Sequence, residues 1–266
     1  MGERLHIVKV GGAIVEDPRS LASLLSRFSQ LEGKKILIHG GGRLATTMAT
    51  RLGIESRMVE GRRITDADTL EVVTMVYGGL VNKRIVARLQ AMDTNAIGLT
   101  GADAGIILSH KREVKEVDYG FVGDVDHVDG TLLSTFLDHG LTPVIAPLTH
   151  DGQGQKLNTN ADTMARVVAE ALAQRYEVSL IFCFEKAGVL TNPDDDTSAI
   201  PFINTALFQD LKARGIVSGG MIPKIENALQ AVDHGVAKVL ITRADLLGQD
   251  GGTLVAQHSQ DAETTR

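Results

Sequence analysis

The sequence predicts an α/β protein, a three-layer αβα sandwich with helices on both faces of a mostly parallel sheet. Three observations carry this. Short apolar runs recur along the 266 residues: "LHIVKV", "KKILIHG", "NAIGLTG", "LTPVIAP", "EVSLIFCF" and "AKVLIT". Most lack polar alternation, as strands do when both faces are covered. Between them, apolar residues recur at helical spacing.

The elements follow in order. "HIVKVGGAIV", residues 6–15, reads as a buried strand that carries Lys9 and is cut off by Gly11-Gly12. A lysine there must shift its pKa, snorkel out or meet an anion. Asp17-Pro18 then caps a helix with the stripe Leu21, Leu24, Leu25, Phe28 and Leu31. A second strand ends in Gly40-Gly41-Gly42, and a stripe of Leu44, Met48 and Leu52 is stopped by Gly53. Thr65 and Asp68 have capping-box spacing and open a helix to about Met92. Gly78-Gly79 inside it cost about 1 kcal/mol each relative to alanine, so close packing, such as against a helix of a second subunit, is expected there. Residues 105–128 alternate charged and apolar residues and are expected to form β-hairpins. Asp194–Asp196 lie in a polar loop and read as solvated surface. Ile225, Leu229 and Val232 mark a last helix ending at Gly235.

Composition narrows the function. With 43% hydrophobic and 23% charged residues, the chain suits one large domain or two small ones. A net charge of −6 argues against a general nucleic-acid binder. The one cysteine, Cys183, excludes a disulfide framework and a cysteine-based zinc site, and fits the reducing cytoplasm. No run approaches the ~18 apolar residues of a membrane span. "MGERLHIVKV" enters a strand too soon to hold a signal peptide.

Chemistry concentrates at strand ends. Gly11-Gly12 and Gly40-Gly41-Gly42 each precede a helix, where backbone N–H groups receive phosphate or carboxylate; the plainer alternative is a pair of tight turns. The P-loop, the dinucleotide fingerprint and the H-R-D/D-F-G set are all absent. In "SGGMIPKIENALQAV", Lys224 stands at a helix start, which the macrodipole disfavours without an anion; an ordinary exposed lysine is the alternative. In "LNTNADTMARVVAEAL", Asp162 either caps a helix or pairs with the two lysines. Arg62 and Arg63 in "GRRIT" offer a guanidinium clamp for a carboxylate.

Together, "VKVGG", "IHGGG", "GRRIT", "GLTGADAG", "YGFVGDV", "LNTNADTMA" and "SGGMIPKIENAL" resemble the amino acid kinase family, in order across nearly the whole chain. They most resemble its branch that phosphorylates N-acetyl-L-glutamate in arginine biosynthesis. The resemblance implies about eight strands, an acyl-amino-acid-binding part over residues 1–175, and an ATP-binding part over 176–266 sharing one sheet. It implies that Lys9 and Lys224 stabilise the transition state and that Asp162 organises them. Gly11 and Gly12 would offer phosphate-binding N–H groups, with Gly42 also facing the transferring phosphoryl. Gly41, Gly42, Arg63 and Asn158 would bind the acylglutamate. ATP would lie along Glu185, Lys186, Ala187, Gly188, Val189 and Leu190 and near Ile216, Val217 and Ser218; Glu185-Lys186 depart from the family's usual Asp-Val. Mg²⁺ would be held through the nucleotide phosphates, with no metal site of the protein's own. Partners would be small molecules, with no nucleic acid or membrane, in a cytoplasmic homodimer. The short stretch before the first strand implies no arginine-inhibited hexamer. N-succinyl-L-glutamate as acceptor stays open, as does a non-catalytic regulatory module, which the joint presence of Lys9, Asp162 and Lys224 disfavours.

Overall fold

In the computed structural model, which describes residues 2–59 and 61–257, the chain opens on β1 (Glu3–Val10), α1 (Gly12–Glu16), α2 (Pro18–Gln30) and β2 (Lys34–His39). Helix α2 starts as its sequence dictates. Asp17 accepts the Ser20 N–H at 2.7 Å, and Pro18 fills the first helical position, where no N–H is needed. Leu21, Leu24, Leu25 and Phe28 are buried. In α3 (Gly42–Arg51) the inward residues are Ala45 and Ala49, with Leu44 and Met48 partly buried beside them. Leu52 corrects the expected stripe. It is the C-cap residue, past the last packed turn, and is 57% exposed.

The short hairpin β3 (Met58–Val59) and β4 (Arg62–Arg63) leads into α4 (Ala67–Val73). The cap is Asp66, which accepts the Thr69 N–H at 2.8 Å, and not Thr65. Thr65 is drawn away because its backbone bridges Gly120 and its hydroxyl accepts from Asn158. The helix then widens to π geometry over Thr74–Val81 and resumes as α5 (Asn82–Gln90). Gly78 packs against Leu148 and Thr100 of its own chain, not against a helix.

After β5 (Ala96–Leu99), the alternating segment forms one hairpin, not several: β6 (Ile107–Lys111) and β7 (Gly123–Val128), with residues 112–122 between them. The chain continues through α6 (Gly130–Asp138), β8 (Thr142–Ile145), β9 (Leu148–His150), β10 (Lys156–Asn158) and α7 (Ala161–Ala173). It ends with β11 (Tyr176–Phe184), β12 (Phe202–Ile203), α8 (Thr205–Ala213), α9 (Met221–Asp233), β13 (Lys238–Arg243) and β14 (Thr253–Val255). Strands β10, β9, β6 and β7 make a four-stranded side sheet. The acidic loop is exposed, with Asp196 paired to Arg243.

The main sheet has eight strands in the order β12-β14-β13-β11-β1-β2-β8-β5, parallel except for β13 with β14. Strands β1, β2, β5 and β8 form one half, and β11 to β14 the other; they join where β1 pairs with β11. Side chains alternate between faces. Leu5 and Ile7 of β1 pack in one core with residues of α7 and α9, whereas Val8 and Val10 enter the other with residues of α2 and α3. Lys9 therefore points to the α7/α9 face.

Candidate active site

Period-two alternation and two helix starts assemble the centre of the site. Lys9 lies in register with Phe182 of β11 and Ile38 of β2, near the carboxyl end of β1. Helix α7 is capped by Asn160, whose side chain accepts from the Asp162 and Thr163 N–H groups. Asp162 is thus freed from capping and sits in the first turn. Its Oδ1 is 2.7 Å from Lys9 Nζ, and its Oδ2 accepts from Lys224 Nζ at 2.7 Å. The Lys9 contact is a short ion pair without hydrogen-bond alignment, and Oδ1 has no other partner among the described residues. Arg166, one turn beyond Asp162, donates to Asn227, which in turn donates to the Pro223 carbonyl; this fixes α7 against the start of α9.

The charges respond to burial. Burial alone would push the Asp162 carboxyl up, but the Lys9 and Lys224 ammoniums outweigh it and hold the group well below the usual carboxylate range. Lys9 is lowered from the ordinary lysine value, first by burial; Asp162 offsets part of this and Lys224 adds to it. Burial pushes the Cys183 thiol up to about 12, so it is an inert core group.

Two glycine turns close on each other beside this cluster. A Cβ on Gly12 would lie 3.7 Å from the Gly42 nitrogen and 3.8 Å from that of Gly41. The Gly40 N–H donates to the Val10 carbonyl and the Gly11 N–H to the Cys183 carbonyl, each at 3.0 Å. Gly11 is therefore corrected: its N–H is consumed by the sheet and cannot meet a phosphate. The N–H groups of Gly12, Gly41 and Gly42 have no acceptor among the described residues.

A cavity of about 180 Å³ lies against these turns, lined by Gly40–Gly42, Arg63, Tyr77, Asn158 and Asn160-Ala161 among others. Arg63 is 7% exposed and donates to Ser56 Oγ, the Gly42 carbonyl and Thr46 Oγ1, at 2.7–2.9 Å. Asn158 donates to Thr65 Oγ1 at 3.0 Å. Sequence reasoning missed Tyr77, whose ring lies 3.1 Å from where a Gly41 Cβ would stand, and Arg112, which pairs with Asp124. For Tyr77 a signal existed in its position beside Gly78-Gly79. Arg112 lay within a charged alternation that gave no reason to single it out.

Glu185, Lys186, Ala187, Gly188, Val189 and Leu190 follow β11, apart from this cavity, and Ile216, Val217 and Ser218 precede α9. Val189, Leu190 and Val217 are buried; the Val189 N–H donates to Thr253 Oγ1, its carbonyl accepts from the Ile200 N–H, and the Val217 N–H donates to the Leu211 carbonyl. Gly188 is required where it stands, since a Cβ would meet Thr253 Oγ1 at 2.7 Å. Glu185 reaches Arg43 at 3.7 Å, and Lys186 donates to the Pro193 carbonyl. Among the described residues, no group of three or more His, Cys, Asp or Glu could hold a metal ion, and both Asp162 oxygens face lysines. No described helix is long and apolar enough to cross a membrane.

The mostly parallel sheet thus carries a cluster of two lysines and one carboxylate beside the carboxyl end of β1. The chain belongs to the amino acid kinase family, whose model matches residues 4–243. It is 60% identical to the acetylglutamate kinase of Bacteroides fragilis over 96% of this chain and 98% of that one. It is 58% identical to the acetylglutamate kinase of Phocaeicola vulgatus over 96% of this chain and 99% of that one. Among solved structures, a Streptococcus mutans protein superposes with a TM-score of 0.81 at 27% identity, covering 96% of this chain and 99% of that one.

Proposed function

We propose that this protein transfers the γ-phosphoryl group of ATP to the side-chain carboxylate of N-acetyl-L-glutamate, forming an acyl phosphate and ADP in arginine biosynthesis. The observation that carries this is the Asp162 carboxylate bridging Lys9 and Lys224 beside the Arg63 cavity. Relatives at 57–60% identity named acetylglutamate kinase support it.

The chemistry is a charge problem. The acceptor carboxyl has a reference pKa of about 4.3, so at neutral pH it is already a nucleophile and needs no general base. One of its oxygens bonds to the γ-phosphorus as the bridging oxygen leaves with ADP. Positioning and electrostatics supply the catalysis. Lys9 meets charge on the transferring group and Lys224 charge on the ADP side, with Asp162 holding both. The free N–H groups of Gly12, Gly41 and Gly42 face the phosphoryl group, and Arg63 and Asn158 orient the acylglutamate. ATP lies on the half of the sheet that carries residues 185–190 and 216–218. Magnesium, carried by the nucleotide phosphates, neutralises part of their charge.

A second reading, N-succinyl-L-glutamate as acceptor, is favoured by one feature. Arg62 and Arg112 line the same cavity as Arg63, so a third carboxylate would find cationic neighbours. A hydroxamate assay for acyl phosphate across N-acetyl-, N-succinyl- and free glutamate tests both. Turnover with the acetyl form is expected; preference for the succinyl form would transfer the assignment, and no product from any would overturn it. We place the enzyme in the cytoplasm as a homodimer. Met75 and Leu80, 55% and 39% exposed on the π stretch, support pairing through that face. Light scattering with and without arginine checks this; a monomer or hexamer would refute it.

A further inference from the structure

We propose that His39 is a positioning residue for the glycine turn: its ring holds the Gly40 carbonyl inward and so presents the Gly41 N–H to the site. His39 ends β2 and is completely buried. Its Nδ1 lies 2.8 Å from the Gly40 carbonyl oxygen and its Nε2 3.2 Å from Asn82 Nδ2.

The surrounding partners leave one arrangement of protons. Asn82 Nδ2 also lies 2.8 Å from the Val144 carbonyl, which can only accept, so that atom must be the amide nitrogen. Asn82 Oδ1 receives Lys83 Nζ, which can only donate. The second Nδ2 hydrogen is thus aimed at His39 Nε2, which must accept. Nδ1 therefore carries the ring proton and donates to Gly40. A protonated ring would set two donors against each other, and burial also opposes it, lowering the ring's pKa to about 4.

Peptide planarity converts this bond into orientation. The Gly40 carbonyl and the Gly41 N–H belong to one trans peptide and point in opposite directions. With the carbonyl held toward the buried ring, the N–H turns outward, and the Gly41 nitrogen does face Gly12.

The π-helical stretch makes the support possible. Tyr77 packs on Gly41 and Asn82 reaches His39, five residues apart. A regular helix of 3.6 residues per turn would rotate them about 140° from each other. The i→i+5 pattern brings both to the side facing the turn. The opposite wall has been hollowed to match, since a Cβ on Gly98 would fall 2.0 Å from Asn82 Oδ1.

The activity test rests on the phosphotransfer reading above; a spectroscopic test does not. His39→Asn keeps an N–H donor near the Nδ1 position, whereas His39→Leu keeps none. In a regular misplacement of this kind, His39→Leu should lose about 10- to 100-fold in kcat, with both KM values within about threefold of wild type. His39→Asn should recover most of that loss. A folded His39→Leu with wild-type kcat would overturn the proposal, as would equal impairment of both variants at equal Tm. Nitrogen-15 NMR of the wild-type ring should show a neutral imidazole protonated on Nδ1 at pH 6; a proton on Nε2, or a cationic ring, would refute it even if His39→Leu does not fold. Wild-type protein with no turnover would sink the functional reading and leave the NMR result to judge His39.

Discussion

Lys9 Nζ lies 2.7 Å from Asp162 Oδ1, with both side chains 9% exposed. A buried pair of this kind is weak evidence for stability, because desolvation offsets much of the attraction. Its geometry is better explained by a third party. Asp162 accepts from Lys224 in good alignment but leaves Lys9 poorly directed, so part of the Lys9 charge remains available to an incoming anion.

Replacing Lys9 by methionine should retain the fold, since the stem already lies in the core and Lys224 still compensates Asp162. Acyl-phosphate formation should fall about 100-fold or more, in line with loss of one preorganised donor. Hydroxamate turnover near the wild-type rate would remove Lys9 from the mechanism.

Asp162→Asn should damage stability as well as rate. Two lysines would then face each other in a buried site without a counter-charge, a break that costs about 3–5 kcal/mol. Urea denaturation at neutral pH measures this. An unchanged midpoint would mean that the carboxylate does not hold the pair.

Arg63→Ala should raise the acylglutamate KM about 10- to 100-fold, the scale of a charge-assisted hydrogen bond, and the ATP KM far less. Arg63→Lys should recover little, because one ammonium cannot reproduce the forked contacts to Gly42, Thr46 and Ser56. Equal rises in both KM values would place Arg63 in scaffolding alone.

His39 makes stability depend on pH on the acid side. Burial first, with Lys83 adding to it, lowers its folded pKa from 6.5 to about 4. Between those values the unfolded chain binds a proton that the folded chain refuses. Stability from this residue is therefore complete above about pH 6.5 and is lost as pH falls toward 4, by on the order of 3 kcal/mol. Urea midpoints at pH 7 and pH 4.5 should differ more in wild type than in His39→Asn; identical slopes would contradict the burial argument.

How far this was legible follows from the physics of each residue. Strands β1, β2, β5, β8, β11 and β13 were readable because helices covering the sheet make their sequences mostly apolar. Strands β12 and β14, two and three residues long, carry no periodicity to detect. Lys9 was conspicuous as a charge in a core strand. His39 broke the pattern of the neighbouring strand in the same way, but its partner Asn82 is set by a π-helix that no spacing rule announces. Thr65 mimicked a cap because its contact with Asn158, 93 residues away, is invisible to local pattern. Leu52 misled the stripe because periodicity does not say where a helix stops facing the core.

The pairing of β1 with β11 also governs how the chain is made. Lys9 leaves the ribosome early, but its register partner Phe182 is synthesised much later, and Lys224 later still. At about 5–20 residues per second, one edge of β1 waits on the order of ten seconds or more for its neighbour. That edge is an apolar strand with unpaired backbone groups, the kind that recruits the wrong chain. Newly made protein should thus depend on shielding of its first ten residues until the last third of the chain arrives.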